Sequence, residues 1–234
     1  MKVIAIDSSG LVASVAIATE DALIAEYTVN FKKTHSQTLL PMLDEIVKMT
    51  ELNLKEIDAI AVACGPGSFT GLRIGSASAK GLGFALDKPI IPVPTVDALS
   101  MNMWGSSSVI CPIMDARRGE VYTGLYEFDS NGEHVVIKEQ FAEKIENVVE
   151  ELNGMGREVV FLGDGVPVYE QIIRDTIKVP FSFAPAFMSR QRAGALACLA
   201  IKLMKEGKCE AAGEHSPIYL RLSQAERERL EHDS

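Results

Sequence analysis

Short apolar runs separated by polar turns open the chain. Residues 3–7, 12–18 and 22–29 are such runs, and two short polar turns, Ser8-Ser9-Gly10 and Glu20-Asp21, separate them. Apolar runs of this length between turn residues predict β-strands, and connections this short predict antiparallel neighbours. The sequence therefore predicts a fold that begins with an antiparallel meander of three strands.

The rest of the chain alternates between helical and strand-like patterns. After the meander, the pattern predicts a helix at 35–49, a strand ending at 63, a helix at 71–86 and a strand at 89–94. The second half predicts strands at 109–115, 120–128, 134–141 and 158–162, and helices at 145–152, 166–177 and 189–205. The order β-β-β-α-β-α thus occurs twice.

The two halves begin alike, because Asp7 and Asp115 each stand at the end of a first strand and before a turn. A duplicated β-β-β-α-β-α unit predicts an α/β fold of the actin-like, ribonuclease-H-like type with two subdomains. We expect the first subdomain at 1–104, where the helices that bind a partner lie. We expect the second at 105–222, with the last helix packing across both, and a charged, disordered tail at 223–234.

The composition of the chain limits the classes of function that it can have. The 234 residues are 47% hydrophobic, and no apolar run approaches the length of a membrane span. The four cysteines, Cys64, Cys111, Cys198 and Cys209, lack Cys-x-x-Cys spacing, which favours free thiols in the cytoplasm. A formal net charge of −9 argues against strong direct binding of nucleic acid.

A glycine-rich turn links the predicted strand that ends at 63 to the next helix. It has the sequence Gly65-Pro66-Gly67-Ser68-Phe69-Thr70-Gly71-Leu72-Arg73-Ile74-Gly75. Turns of this kind often hold anions, because free amides and the helix dipole point out of them. This turn nevertheless lacks the Lys-Ser/Thr of a P-loop and the glycine spacing of a dinucleotide fingerprint. It is specific, but it is not a standard nucleotide site.

Two further turns are candidate anion or nucleotide contacts. Asp7, Ser8 and Ser9 could hold a phosphate or a metal-bound water, or they could simply cap a tight turn. The second turn carries Asp115, Arg117 and Arg118, which are the candidate anion or nucleotide contacts of the second half. The arginines would crowd a backbone anion site, although they could pair with an anion or with a carboxylate.

The helix after the glycine turn has a ridge without large side chains. Gly71, Gly75, Ala79 and Gly83 lie four apart, so they share one face. Glycine inside a helix costs about 1 kcal/mol relative to alanine, so the repeat indicates close packing against another backbone. The ridge either packs on the protein's own sheet or forms a contact surface for another subunit, and we expect these four residues to contact a partner.

The helix at 35–49 has an apolar arc of roughly 180°, wider than the roughly 100° that a surface helix needs. The predicted interface residues in this arc are Leu39, Leu40, Met42, Leu43, Ile46 and Val47. The additional width of the apolar arc suggests that the helix contacts both the core and a partner. His35 starts this helix, where we expect it to cap or pack, and it belongs to the predicted partner interface. The histidines have no paired spacing, so no metal site is predicted.

Several segments resemble the bacterial TsaB (YeaZ) family, which assists the formation of threonylcarbamoyladenosine on adenosine 37 of ANN-decoding tRNAs. These are Ile4-Ala5-Ile6-Asp7-Ser8, His35-Ser36-Gln37, the glycine turn, Met114-Asp115-Ala116-Arg117-Arg118-Gly119-Glu120-Val121-Tyr122 and Pro217-Ile218-Tyr219-Leu220-Arg221. The resemblance implies a non-catalytic subunit that binds and activates a catalytic paralogue, TsaD, through the helices at 35–49 and 71–86. It also implies a homodimer when TsaD is absent.

The resemblance further implies a TsaE-type ATPase as a partner, only indirect contact with tRNA, and no tightly bound cofactor. ATP or ADP is expected at a subunit junction. TsaD carries a metal-binding His-x-x-x-His where this chain has Thr95 and Leu99, which are not metal ligands. The alternative is an actin-like ATPase or small-molecule kinase that uses Asp7 and Asp115. A metalloprotease would need the missing histidine pair.

Overall fold

Residues 1–31 and 34–221 form two five-stranded sheets, each made by one half of the sequence. The computed structural model describes residues 1–31 and 34–221, so the tail predicted at 223–234 lies outside the described residues. The strand orders are β3-β2-β1-β4-β5 and β10-β9-β6-β7-β8. The predicted duplication is confirmed, because an antiparallel meander joined to parallel strands occurs in both sheets.

In the first half, the strands are β1 (Lys2–Asp7), β2 (Ala13–Thr19), β3 (Leu23–Val29), β4 (Ala59–Gly65) and β5 (Ile90–Pro94). The helices are α1 (His35–Met49), α2 (Phe69–Leu86) and α3 (Thr95–Ser100). Side chains alternate along β1, as the pleat requires. Ile4 and Ile6 pack with α1 and α2, whereas Val3 and Ala5 pack on the other face of the sheet.

The second half contains strands β6 (Val109–Arg117), β7 (Glu120–Phe128), β8 (His134–Lys144), β9 (Val159–Leu162) and β10 (Phe181–Phe183). Its helices are α4 (Ile145–Met155) and α5 (Val166–Thr176), followed by α6 (Ala193–Lys205). Helices α4 and α5 cover one face of the second sheet, where their apolar stripes meet Val109, Ile113 and Phe161. Each sheet therefore has one face covered by two helices from its own half.

Three features differ from the sequence prediction. Helix α3 and strand β10 were not predicted, because each is too short to show a periodicity. The last helix begins at Ala193 instead of 189, since Arg192 is still extended. Helix α6 also packs on the first sheet, where its alanines and leucines meet the small side chains of β1 and β2. The chain therefore returns to its first half.

A polar cluster joins the two halves beside α3. Tyr126 donates a hydrogen bond of 2.7 Å to Asp97, and the Ser100 hydroxyl donates to the Asp97 carbonyl at 2.7 Å. The Ser100 oxygen therefore accepts from His134 Nε2 at 2.7 Å. Burial lowers the pKa of His134 to about 4, so its imidazole is neutral at physiological pH. This cluster fixes one side of the contact between the halves.

The architecture is actin-like and ribonuclease-H-like, as the duplicated pattern predicts. Each half places the carboxyl end of its first strand beside the N-terminus of a helix that follows a parallel strand. Among the helices of the described ranges, none combines the length and the apolar character needed to cross a membrane.

Candidate functional site

The glycine turn after β4 is packed against the turn between β1 and β2. The amide of Ser68 donates to the carbonyl of Ser9 at 2.6 Å, and the Ser68 hydroxyl caps the amide of Gly71. A Cβ placed on Gly67 would lie 2.3 Å from the Ser9 oxygen. This closeness explains why glycine is needed here. The approaching backbone belongs to the chain itself. The carbonyl oxygen of Ser9 thus accepts from the turn amide of Ser68, where an anion would accept in an anion-binding turn.

The first acidic turn is sealed inside the protein. Asp7 is 1% exposed, and its Oδ1 accepts from the amide of Ser9 at 2.9 Å and from the Ser9 hydroxyl at 2.6 Å. Burial raises the pKa of Asp7, while the bonds from Ser9 partly oppose this shift. Ser8 donates to the carbonyl of Gly71 at 2.8 Å. These bonds favour the alternative of a capped tight turn for Asp7, Ser8 and Ser9, although Ser9 also lines a cleft; a nucleotide or anion contact here stays a prediction.

The glycine ridge of α2 faces inward. A Cβ on Gly71 would lie 2.0 Å from the Ser8 carbonyl oxygen, and one on Gly75 would lie 2.5 Å from the Ser8 hydroxyl. Gly83 approaches Ala212 and the Lys88 carbonyl, and Ala79 is fully buried in the core. The expectation that these four residues contact a partner is therefore corrected. Their small size allows the helix to approach the chain's own backbone.

The apolar arc of α1 divides between core and surface. Four of its predicted interface residues are in the core between α1 and the first sheet: Leu39, Met42, Leu43 and Ile46. Leu40 is half exposed and Val47 is partly buried, so only these two remain on or near the surface. His35 donates from Nε2 to the carbonyl oxygen of Gly10 at 2.9 Å, which confirms that it packs at the helix start.

The second acidic turn is more open than the first. Asp115 accepts from the amide of Arg117 at 2.9 Å and from the Tyr169 hydroxyl at 2.9 Å. Burial and the neighbouring Asp115 raise the pKa of Tyr169 to about 12. Arg117 and Arg118 are exposed, and both have left-handed backbone angles, with φ of 69° and 58°. These side chains remain available at the surface.

A cleft of about 580 Å³ lies between the two acidic turns. The first half contributes His35 and the glycine turn, and the second half contributes Asp115, Arg117 and Asp164. Burial raises the pKa of Asp164, although the amide of Asp115 donates to its carboxylate at 3.3 Å. The structure therefore brings the two predicted turns to one cleft, but only the second turn presents its charged side chains there.

The positions that correspond to the histidine pair are structural. Thr95 is fully buried and its hydroxyl accepts from the amide of Gly65 at 3.2 Å. Leu99 packs in an apolar cluster with Val96 and Ile110. Across residues 1–31 and 34–221, no group of three or more histidine, cysteine or acidic side chains could hold a metal ion. Burial also raises the pKa of the Cys64 and Cys111 thiols to about 12, which makes them poor nucleophiles.

The outward face of α2 was not predicted from the sequence. Arg73, Ala77, Gly81 and Phe84 are exposed there, and no atom lies within 4 Å of a Cβ placed on Gly81. The signal was present, since Arg73, Ala77 and Gly81 are also four residues apart. It was one of two parallel ridges, and periodicity cannot determine which ridge faces the core.

A groove beside α1 extends this surface. It lies between β3 and α1 and has a volume of about 560 Å³. Its lining is Tyr27, Val29, Phe31, Gln37, Thr38, Pro41, Met42 and Glu45. Helix α1 also packs beside α2. The exposed sides of these two helices and the groove thus belong to the same side of the first sheet.

Comparison with known proteins gives one consistent result. The family described as TsaD, tRNA N6-adenosine threonylcarbamoyltransferase, matches residues 23–229. A Bacillus subtilis protein named tRNA threonylcarbamoyladenosine biosynthesis protein TsaB is 36% identical over 233 residues, covering 99% of both chains. The Escherichia coli protein of that name is 31% identical over 224 residues, covering 94% of this chain and 95% of its own.

Solved structures agree with the sequence comparison. YeaZ from Pseudomonas aeruginosa superposes with a TM-score of 0.80 at 27% identity, covering 94% of this chain and 99% of its own. A more distant likeness is component A of the (R)-2-hydroxyglutaryl-CoA dehydratase of Acidaminococcus fermentans. It has a TM-score of 0.51 at 11% identity and covers 89% of this chain and all of its own. At this identity, it shows a shared fold alone.

Proposed function

The chain belongs to the TsaB (YeaZ) family, and from that premise we propose that it acts in tRNA threonylcarbamoyladenosine biosynthesis as a non-catalytic subunit. In this proposal it binds and activates a TsaD-type catalytic paralogue. The observation that carries the proposal is the exposed surface of two adjacent helices, which we call the α1–α2 face. We define it by Leu40, Met49, Ala77, Gly81 and Phe84.

The chemistry of the α1–α2 face suits a protein partner. Leu40 is 50% exposed, Phe84 is 66% exposed and Met49 is 78% exposed. Large exposed apolar side chains grouped on one side of a domain are typical of an interaction surface. Ala77 and Gly81 lie on the outward side of α2, so a partner helix can approach the backbone closely. The same face would serve the proposed homodimer.

The positions of Thr95 and Leu99 support a role without catalysis. In the paralogue, these positions are the ones that the resemblance assigns to metal-binding histidines. Here the Thr95 hydroxyl accepts a hydrogen bond from the amide of Gly65, and Leu99 packs in an apolar cluster. Such side chains supply no strong ligand for a catalytic metal. The proposed activation therefore acts through association, with the chemistry carried out by the paralogue.

The remaining partners follow from the same proposal. The TsaE-type ATPase joins the assembled complex, and tRNA is reached through the paralogue because this chain has a net charge of −9. Any ATP or ADP lies at the subunit junction. The alternative of an ATPase or kinase that uses Asp7 and Asp115 is weakened, because the carboxylate of Asp7 is buried and bonded to Ser9.

Replacement of Gly81 by leucine tests this proposal. The new side chain has open space in the free chain but would occupy the gap that a partner helix needs. We expect Gly81→Leu to weaken binding to the TsaD-type paralogue by at least about tenfold, since overpacking at an interface typically costs about 1–3 kcal/mol. Isothermal titration calorimetry with the purified paralogue measures this, and the restored tRNA-modifying activity of the mixture is the second readout.

Gly154→Leu is the matched control, because Gly154 is an exposed helical glycine with open space in the second half. It should bind the paralogue with the affinity of the unsubstituted protein. Both glycine variants should show the same unfolding transition as that protein. Leu40→Asp tests the adjacent helix independently. Unchanged binding in Gly81→Leu and Leu40→Asp would show that the α1–α2 face is not the interface. Full modification activity without the paralogue would contradict the non-catalytic role.

A further inference from the structure

The segment after α6 crosses the cleft between the two halves. Residues 216–221, which we call the C-terminal strap, form neither helix nor strand. The chain just before the strap is fixed to the first half. Glu210 pairs with Ile90, and Lys80 donates to the carbonyls of Gly213 and His215 at 3.1 and 3.0 Å. The strap therefore leaves the first half from a well-anchored position.

The first part of the strap is bound to the glycine turn. The amide of Ile218 donates to the carbonyl of Cys64 at 2.7 Å. The Ile218 oxygen fits against Gly65, where a Cβ would lie only 2.1 Å away. The ring of Tyr219 packs on Phe69 with centroids 4.7 Å apart, and Arg73 donates to the Tyr219 hydroxyl at 3.3 Å. Backbone and side-chain contacts thus hold this end to the first half.

The last residue of the strap makes the connection to the second half. Arg221 donates to the carbonyl of Ala116 at 3.1 Å and forms an ion pair with Glu120. Both side chains of this pair are partly shielded from solvent, with 18% exposure for Arg221 and 29% for Glu120. The hydrogen bond to Ala116 and the ion pair with Glu120 therefore join the strap to the second half.

The strap also forms part of the cleft wall. Ile218, Tyr219, Leu220 and Arg221 line the cleft together with residues of both acidic turns. The polar cluster around Asp97 and His134 connects the halves elsewhere, since none of its residues lines the cleft. Breaking the contacts of Arg221 would therefore release one side of the cleft while the polar cluster still joins the halves.

We propose that the C-terminal strap is a releasable latch that holds the cleft closed through Arg221. The strap stays with the first half when the latch opens, because its anchors at Cys64, Gly65 and Phe69 are independent of Arg221. Local openings of this kind occur where a segment is exposed and held by few contacts. The latch would set the width of the cleft, and with it the access of a ligand or partner segment to Asp115 and Asp164.

A distance measurement across the cleft tests the latch. Spin labels are attached to cysteines introduced at Thr70 and Gly119, in a background where Cys198 and Cys209 are replaced by serine. Arg221→Ala removes charge-assisted hydrogen bonds, so we expect the population with longer label distances to rise about tenfold. Pulsed electron paramagnetic resonance measures the distance distribution. Glu120→Gln removes the ion pair but keeps the bond to Ala116, so an intermediate shift is expected.

Arg157→Ala is the control, because Arg157 forms an ion pair with Glu127 entirely inside the second half, at 2.6 Å. It should leave the label distances unchanged. An unchanged distribution in folded Arg221→Ala protein would overturn the latch, because the strap would then be a fixed wall. If Arg221→Ala does not fold, Glu120→Gln decides by the same measurement. A general loss of stability without longer distances would also count against the proposal.

Discussion

The two halves of this chain build the same acidic turn and surround it differently. In each, an aspartate at the end of a first strand accepts from the amide two residues later, with both distances 2.9 Å for Asp7 and Asp115. In each, a glycine in the segment after the adjacent parallel strand, inside α2 for Gly71 and directly after β9 for Gly163, approaches a carbonyl oxygen closely. A Cβ on Gly71 would lie 2.0 Å from Ser8, and one on Gly163 would lie 2.1 Å from Ile113.

The difference lies in what covers the turn. In the first half, the Ser9 hydroxyl adds a second bond to Asp7 and the glycine turn closes over it. In the second half, Arg117 and Arg118 point out of the turn, and Asp115 keeps one oxygen near the Arg117 guanidinium at 3.5 Å. A shared backbone motif therefore does not predict whether its carboxylate meets solvent. The neighbouring side chains decide this.

Stability should fall most when a side chain is introduced at a glycine that contacts a backbone oxygen. We expect Gly71→Ala and Gly163→Ala each to lower the free energy of unfolding by at least about 3 kcal/mol, because the Cβ would overlap a backbone oxygen. Gly163 has the added strain of a φ of 109°. Urea unfolding measures both. If only one half is sensitive, the two turns are not equivalent in packing.

Gly81→Ala is the control for these variants. It lies on the same helix as Gly71 but faces open space, so alanine should stabilise the helix by about 0.5–1 kcal/mol. A loss of stability in this control would mean that the outward face of α2 is packed in the free protein. That result would also weaken the proposed interface.

A smaller effect should separate the two aspartates. Asp7→Ala leaves the buried amide and hydroxyl of Ser9 without their acceptor, which should cost about 1–3 kcal/mol. Asp115→Ala should cost less than about 1 kcal/mol, since Tyr169 also donates to the Glu120 carbonyl and keeps a partner. Thermal and urea unfolding of both variants gives the comparison. Equal losses would show that the second turn is as sealed as the first.

The smallest effect concerns pH. Burial raises the pKa of Asp7 in the folded chain, so the folded state binds this proton more tightly than the unfolded chain does. The contribution of Asp7 to stability is therefore largest at low pH and declines as pH rises through its folded pKa. Asp7→Asn keeps an oxygen acceptor for Ser9 without the charge. The stability of the variant relative to the original should thus improve between about pH 3 and about pH 7.

Unfolding in urea at several pH values measures this difference, and other titrating groups cancel between the two proteins. A relative stability that is constant with pH would show that Asp7 has an ordinary pKa despite its burial. A relative stability that falls with rising pH would show that Ser9 stabilises the charged form more than burial disfavours it.

Periodicity predicted most of the elements, and helix α1 begins and ends where its pattern indicated. The short α3 and β10 were missed because six and three residues carry too little pattern. The two acidic turns were predicted separately, and only the structure shows that one cleft lies between them, with Asp115 and Arg117 lining it while Asp7 is buried. The same limit applied to α2, where two four-residue ridges were equally regular and the inward one was taken as the interface.

The sequence by itself determined the order of strands and helices, the duplication and the need for glycine at Gly71 and Gly75. These properties depend on local periodicity and on the absence of a side chain, which are visible in the chain. Only the tertiary structure decided that Ser8 occupies the space beside these glycines, and that Arg221 reaches the other half. Such contacts join residues far apart in the chain, and their partners are set by how the sheets and helices pack.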